Sequence, residues 1–99
     1  MKFIKVHPIY WSKDENEKEF PKVSNVKILN VNSIKICEKS EIRLIGDKGL
    51  ELSQLHNLRA DLGDEAISKY ATEIIFKSFF TKRIVVAESL DYLYEQLNE

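Results

Sequence analysis

The sequence predicts an α+β domain: a small antiparallel sheet of four or five strands, with an inserted helical segment and a C-terminal amphipathic helix packed on it. Apolar and polar residues alternate over several short runs, which is typical of strands with one wet face. The apolar spacing changes to three and four residues after Leu52 and again after Ser89, which indicates helices. With 43% hydrophobic and 31% charged residues in 99, residues 1–99 suit a single folded domain.

Composition narrows the classes of function. The net charge is −1, from 15 Lys and Arg against 16 Asp and Glu, so there is no surplus of bases for phosphate contacts. The single cysteine, Cys37, makes no intrachain disulfide, which indicates a reducing compartment. No apolar run approaches the ~18 residues that span a bilayer. We therefore expect a cytoplasmic protein with no membrane partner.

The N-terminal residues predict a strand followed by a loop. Residues 2–10 begin as a strand, with Ile4, Val6 and Tyr10 on one face and Pro8 at its edge or end. Residues 12–22 include seven consecutive polar residues, 13–19, which offer nothing to a core. This segment is predicted to be a mobile, solvated loop closed by Pro21.

A β-meander is predicted over residues 25–46. Its three extended runs lie at 26–28, 34–36 and 42–44, where apolar and basic residues alternate. Asn30 and Asn32 favour a turn between the first two runs. The polar residues 38–41 predict a turn between the second and third.

Residues 47–71 predict a helical insertion. A stripe of leucines marks one helix, and Gly63 is suited to end it. A second short helix is expected from Asp64, which is a suitable N-cap. The stripe comprises Leu52, Leu55, Leu58 and Leu62.

Two interpretations of residues 72–82 stay open. In the first, they enter a hairpin whose second strand is the β-branched run 83–88. In the second, a helix continues from Asp64 to about Phe80, which the absence of turn residues between 78 and 82 favours. Ser89 then caps a short amphipathic helix that must pack on the sheet.

Two stretches, VKILNVNSIKICEKSEI and TEIIFKS…RIVVAESLDYLYEQL, resemble the small FlbD-like proteins of bacteria and their phages. The shared pattern is a strand ending in an asparagine-containing turn, a hairpin, and a strand that runs through V-x-E-S into a short amphipathic helix. It covers 26–42 and 72–97, while the loop after Tyr10 and the segment 46–71 depart from it. The resemblance implies a small antiparallel sheet with a C-terminal helix, and it transfers no catalytic residue.

No catalytic, metal or cofactor site is predicted. Cys37 would point with Lys35 and Lys39, which could lower its pKa, but the preferred interpretation is a small strand residue of no reactivity. His7 is read as a surface or turn residue, and His56 as the flank of a helix. The histidines and the cysteine lack metal-ligand spacing, the acidic run 61–65 lacks an EF-hand pattern, and three glycines make no phosphate loop.

Protein binding is the predicted function, with a phage or mobile-element inhibitor or modulator of a host machine as its concrete form. Homodimerisation through a sheet edge fits the same pattern. Tyr10 and Trp11 are either core residues or exposed contacts, and the aromatic and basic residues near 77–83 are either core or contact residues. Alternatives are a nucleic-acid-binding regulator, a small-molecule-sequestering protein with a pocket between the sheet and the inserted helices, and an enzyme built on Cys37. The candidate partner-binding residues are Tyr10, Trp11, Phe79, Lys77, Lys82 and Arg83.

Overall fold

A computed structural model describes residues 2–78 and 83–98, and these confirm the α+β class. The described residues form seven strands in three antiparallel sheets, rather than one sheet of four or five strands, and two α-helices. None of these helices has the length and apolar character needed to cross a membrane. The elements are β1 (Phe3–Val6), β2 (Ile9–Lys13), β3 (Glu19–Val23), β4 (Lys27–Asn30), β5 (Ile34–Arg43), α1 (Leu52–Leu62), β6 (Tyr70–Phe76), β7 (Arg83–Val86) and α2 (Leu90–Leu97), with 3₁₀ turns at Val31–Ser33 and Asp64–Ala66.

The three-stranded sheet β5–β6–β7 separates two apolar clusters. Ile74 belongs to one cluster and Ala71 to the other, and residues three apart in a strand point to opposite faces. The first cluster joins the β1–β4 ribbon and α2 to the sheet: Ile4, Val6, Leu29, Cys37, Ile74, Val86 and Leu93. The second joins α1 and the base of the β2–β3 hairpin: Leu44, Leu50, Leu55, Leu58, Ile67, Ala71 and Ala87, with Ile9 and Val23 packed against them.

The predicted loop 12–22 is wrong at both ends and is a solvated turn only at residues 14–18, because β2 and β3 form a regular antiparallel hairpin, from Ile9 opposite Val23 to Lys13 opposite Glu19. The Asp14 Oδ1 atom accepts hydrogen bonds from the backbone N–H groups of Asn16 (2.8 Å) and Lys18 (2.9 Å), which orders the turn. Polar composition misled the prediction because nearly all side chains of this ribbon are exposed or only partly buried, so its strands need no regular apolar alternation. The predicted strand 2–10 is likewise divided at His7–Pro8, so Ile4 and Val6 are buried while Tyr10 is exposed.

The predicted turn at 38–41 is also wrong, because β5 runs unbroken from Ile34 to Arg43. The pairing of β5 with β6 shifts between Lys39 and Arg43, so the strand absorbs the polar residues as an irregularity. Ser40 is buried there, and its hydroxyl accepts a hydrogen bond from the Ile42 N–H at 3.1 Å.

The hairpin interpretation of the C-terminal segment is confirmed, and the helical alternative is wrong. β6 and β7 pair from Thr72 opposite Val86 to Ile75 opposite Arg83, although residues 79–82 between them lie outside the described part of the chain. Ser89 caps α2 as predicted, because its hydroxyl accepts a hydrogen bond from the Tyr92 N–H at 3.2 Å.

The helical insertion is smaller than predicted. α1 ends at Gly63, whose φ of 100° favours glycine, but the expected second helix is only the 3₁₀ turn. Leu55 and Leu58 are buried, Leu62 is half-buried, and Leu52 is 83% exposed. The leucine stripe therefore faces the core at its centre and leaves it at the first turn.

Candidate functional site

The β2–β3 hairpin carries two large aromatic side chains that face solvent. Tyr10 is 47% exposed and Trp11 is 51% exposed. Because they are neighbours in β2, they point to opposite faces of the ribbon, opposite Lys22 and Pro21 respectively. Both rings are accessible to solvent, although Pro21 opposite Trp11 is buried, and the alternative that the pair fills the core is wrong.

The basic residues of the second predicted contact lie in a different setting. The Arg83 Nη1 atom is 2.6 Å from Glu73 Oε1 across β6 and β7, so a carboxylate already offsets its charge. Lys77 is exposed just after β6, and its N–H donates to the Ser33 carbonyl at 2.9 Å. Phe79 and Lys82 lie outside the described residues. The neutralised Arg83 weakens the case for a phosphate-binding surface here.

A buried carboxylate pairs with a histidine where the chain passes between the two apolar clusters. Glu88 is fully buried, its Oε1 accepts from the His7 backbone N–H at 2.8 Å, and its Oε2 lies 2.7 Å from His7 Nδ1. The His7 carbonyl in turn accepts from the Ala87 N–H at 2.9 Å. These bonds join the β1–β2 connection to the end of β7, so His7 is not the surface or turn residue that was predicted.

The same histidine lines a polar cleft of about 290 Å³ between the β3–β4 connection and α1. Its Nδ1 is engaged by Glu88, so Nε2 is the ring nitrogen available to a ligand. The Ser24 hydroxyl, also in the cleft, donates to the Asn25 carbonyl at 3.1 Å. The imidazole is therefore oriented as a hydrogen-bonding group, without a nucleophile bonded to it. The remaining lining residues are Val23, Gln54, Asn57, Leu58 and Asp61.

Cys37 is buried and its thiol is harder to ionise than usual, whereas a catalytic cysteine needs an accessible thiolate. It is only 4% exposed within the first cluster, and burial raises the pKa of its thiol. The lowering expected from Lys35 and Lys39 is therefore wrong, because desolvation of the thiolate dominates. His56 is exposed on α1, and residues 2–78 and 83–98 contain no cluster of three ligands suited to a metal ion.

The sequence named Tyr10 and Trp11 as candidate contacts without deciding between core and surface, and it gave no sign of the His7–Glu88 pair. The two residues are 81 positions apart, and no local pattern links them. The one available signal was a glutamate directly after the apolar run 84–87, where burial of a charge demands a partner.

Comparison of this chain with protein-family models, with curated proteins and with solved structures found no match. The relationship to FlbD-like proteins therefore stays a prediction that rests on residues 26–42 and 72–97.

Proposed function

We propose that this chain is a protein-binding module that docks through the β2–β3 hairpin, with Tyr10 and Trp11 as anchors. The observation that carries the proposal is that both rings remain about half exposed on an ordered ribbon. Trp and Tyr are the side chains most enriched among residues that dominate interface energies. An inhibitor or modulator that occupies another protein's groove is the corresponding biological role.

The hairpin is held in shape before any partner arrives. At its base, the Ser24 N–H donates to the Pro8 carbonyl at 2.8 Å, and the Val23 N–H donates to Gln54 Oε1 at 3.3 Å. At its tip, Asp14 closes the turn with two side-chain hydrogen bonds. A preorganised ribbon loses little conformational entropy on docking, which leaves more of the aromatic burial to appear as affinity.

The tip suggests the electrostatic character of the partner. Around the turn there are four exposed acidic residues and two exposed basic residues, which gives the tip a net negative charge. They are Asp14, Glu15, Glu17 and Glu19, with Lys13 and Lys18. A groove with an apolar floor for the rings and a basic rim for these carboxylates would complement this surface.

Capture of a partner by tagged protein, followed by titration calorimetry, tests the proposal. We expect Trp11→Ala to weaken binding by about 2 kcal/mol or more, as truncated interface anchors do, with little change in melting temperature. Phe3→Ala is the matched control, because Phe3 is 57% exposed on the outer face of the β1–β4 ribbon. Affinity that depends on Phe3 and ignores Trp11 would contradict the assignment, and a Trp11-dependent dimer in light scattering would identify a second copy as the partner.

The His7 cleft favours a second candidate function, the binding of a small polar molecule. The cleft lies between the hairpin base and α1, where amide, hydroxyl, carboxylate and imidazole groups converge over Val23 and Leu58. Ligand-dependent rises in melting temperature across a metabolite library would support it. The rises should disappear in Asn57→Ala, whose exposed side chain lines the cleft, and persist in Asn32→Ala.

A further inference from the structure

The four N-terminal strands form one long two-stranded ribbon. β1 pairs with β4 and β2 pairs with β3, and the Ser24 N–H donates to the Pro8 carbonyl at 2.8 Å where the two pairs meet. One end of this ribbon is open and carries Phe3 opposite Asn30, and the other end is the hairpin tip at residues 14–18. Both ends therefore belong to a single continuous ribbon.

The two ends of the ribbon carry opposite charge. Residues 2–6 and 24–33, at the open end, contain three lysines and no aspartate or glutamate. Residues 13–19, at the tip, contain four acidic residues against two lysines, which leaves a net charge of −2. At the open end, Lys5 and Lys27 are exposed and take part in neither ion pair of the part of the chain that the structure describes. The chain thus balances its total charge while separating it along the ribbon.

The open end also presents apolar side chains to solvent. Phe3 is 57% exposed and Ile28 is 60% exposed. Ile28 lies opposite Lys5, and Phe3 is two residues from Lys5 in β1, so all three project from the same outer face. Val26, just before β4, is exposed as well. A surface of apolar side chains and ammonium groups fits a partner that brings both apolar rings and carboxylates.

We propose, on the basis of the function proposed above, that the occupant of this face is a second copy of the chain, docked through its β2–β3 hairpin. The hairpin supplies the rings and the carboxylates, and the open end supplies the apolar floor and the lysines. When two such ribbons lie antiparallel about a two-fold axis, the acidic tip of each meets the basic open end of the other. Both contacts then form at once, so a single surface is complementary to itself.

The aromatic pair occupies the middle of this arrangement. Tyr10 and Trp11 lie between the two charged ends of the ribbon, so the two-fold axis passes close to them and brings each pair against the partner's pair. A parallel arrangement of the two ribbons would instead place tip against tip and lysines against lysines, and the opposed like charges would disfavour it. The separation of charge therefore selects the antiparallel dimer.

Charge reversal followed by mixing tests this dimer by sedimentation velocity and native mass spectrometry. K5E/K27E makes the open end acidic, and E15K/E17K makes the tip basic, so each variant alone opposes like charges at both contacts. We expect each variant to raise the dissociation constant of the dimer about tenfold or more. In an equimolar mixture, the altered open end of one chain matches the altered tip of the other, and the unaltered ends also match. A heterodimer of nearly parental affinity should therefore form.

Matched controls separate local pairing from net charge. K48E/K77E makes the same change of charge at two exposed lysines outside the ribbon, and should change the dissociation constant less than about twofold. A mixture of K48E/K77E with E15K/E17K has the same net charges as the first mixture but only one matched contact, so it should associate more weakly. Equal association in the two mixtures, or equal weakening by K48E/K77E and K5E/K27E, would overturn the proposal.

Ring removal distinguishes failure of this dimer from failure of the proposed function. Trp11→Ala and Phe3→Ala should each weaken the dimer, because Trp11 lies on the docking hairpin and Phe3 on the receiving face, whereas a different protein partner would depend on Trp11 alone. A parent chain that stays monomeric at about 0.1 mM would overturn the dimer. Trp11-dependent capture of another protein would then leave the proposed function standing. A series of larger oligomers would overturn the two-fold arrangement, because head-to-tail contacts do not close after two copies.

Discussion

Replacing Glu88 by alanine should be the most destabilising change to a polar residue in this domain. The carboxylate is fully buried and accepts from the His7 N–H at 2.8 Å and pairs with His7 Nδ1 at 2.7 Å. A hydrogen bond to a charged group is worth about 1.5–3 kcal/mol, so loss of two gives about 3–6 kcal/mol, before any penalty for the cavity. Typical domains have only about 5–15 kcal/mol in total. We expect Glu88→Ala to lose much of the free energy of unfolding.

Urea denaturation followed by circular dichroism measures this loss. Glu88→Gln keeps the size and one acceptor oxygen for the His7 N–H, so its free energy of unfolding should fall by only about 1–2 kcal/mol. The double variant with His7→Ala should be less destabilised than the sum of the single variants, because the two groups share one interaction. A Glu88→Ala protein within about 1 kcal/mol of the parent would refute the role given to the pair.

Three further predictions concern local features. Glu17 has a φ of 61°, a left-handed value that costs a non-glycine residue about 1 kcal/mol, so Glu17→Gly should raise the urea midpoint, whereas an unchanged or lower midpoint would contradict this. Ser89→Ala removes the cap of α2 and should lower the free energy of unfolding by about 1 kcal/mol in thermal melts, against no change for exposed Ser53→Ala. Burial raises the pKa of Cys37 above its ordinary value of 9.0, so the folded state holds its proton more tightly than the unfolded state. The resulting stability is present below pH 9.0 and is lost as the pH rises through the folded pKa, a decline that urea midpoints should show for the parent and not for Cys37→Ala.

The helices and strands with local signatures could be predicted well. Gly63 ends α1, Ser89 begins α2, and the β-branched run at 83–86 is a strand. Caps and side-chain alternation act within a few residues, so their physical causes are present in the local sequence.

The secondary-structure predictions failed where polar segments form strands. The predicted loop 12–22 is largely polar, yet its two ends pair as strands, and residues 38–41 are polar yet continue β5. In both places the backbone hydrogen bonds of a partner strand outweigh weak local preferences, and the partner is chosen by the packing of the whole domain.

By itself, the sequence determined an α+β domain with one cysteine, balanced charge and an amphipathic C-terminal helix. Tertiary structure alone decided that Tyr10 and Trp11 face solvent and that the Glu88 carboxylate pairs with His7. The reason is that exposure and side-chain pairing depend on which distant parts of the chain pack together. Helix and strand propensities, in contrast, depend on residues that are adjacent in the sequence. Each candidate contact or ligand site in this protein depends on such long-range packing.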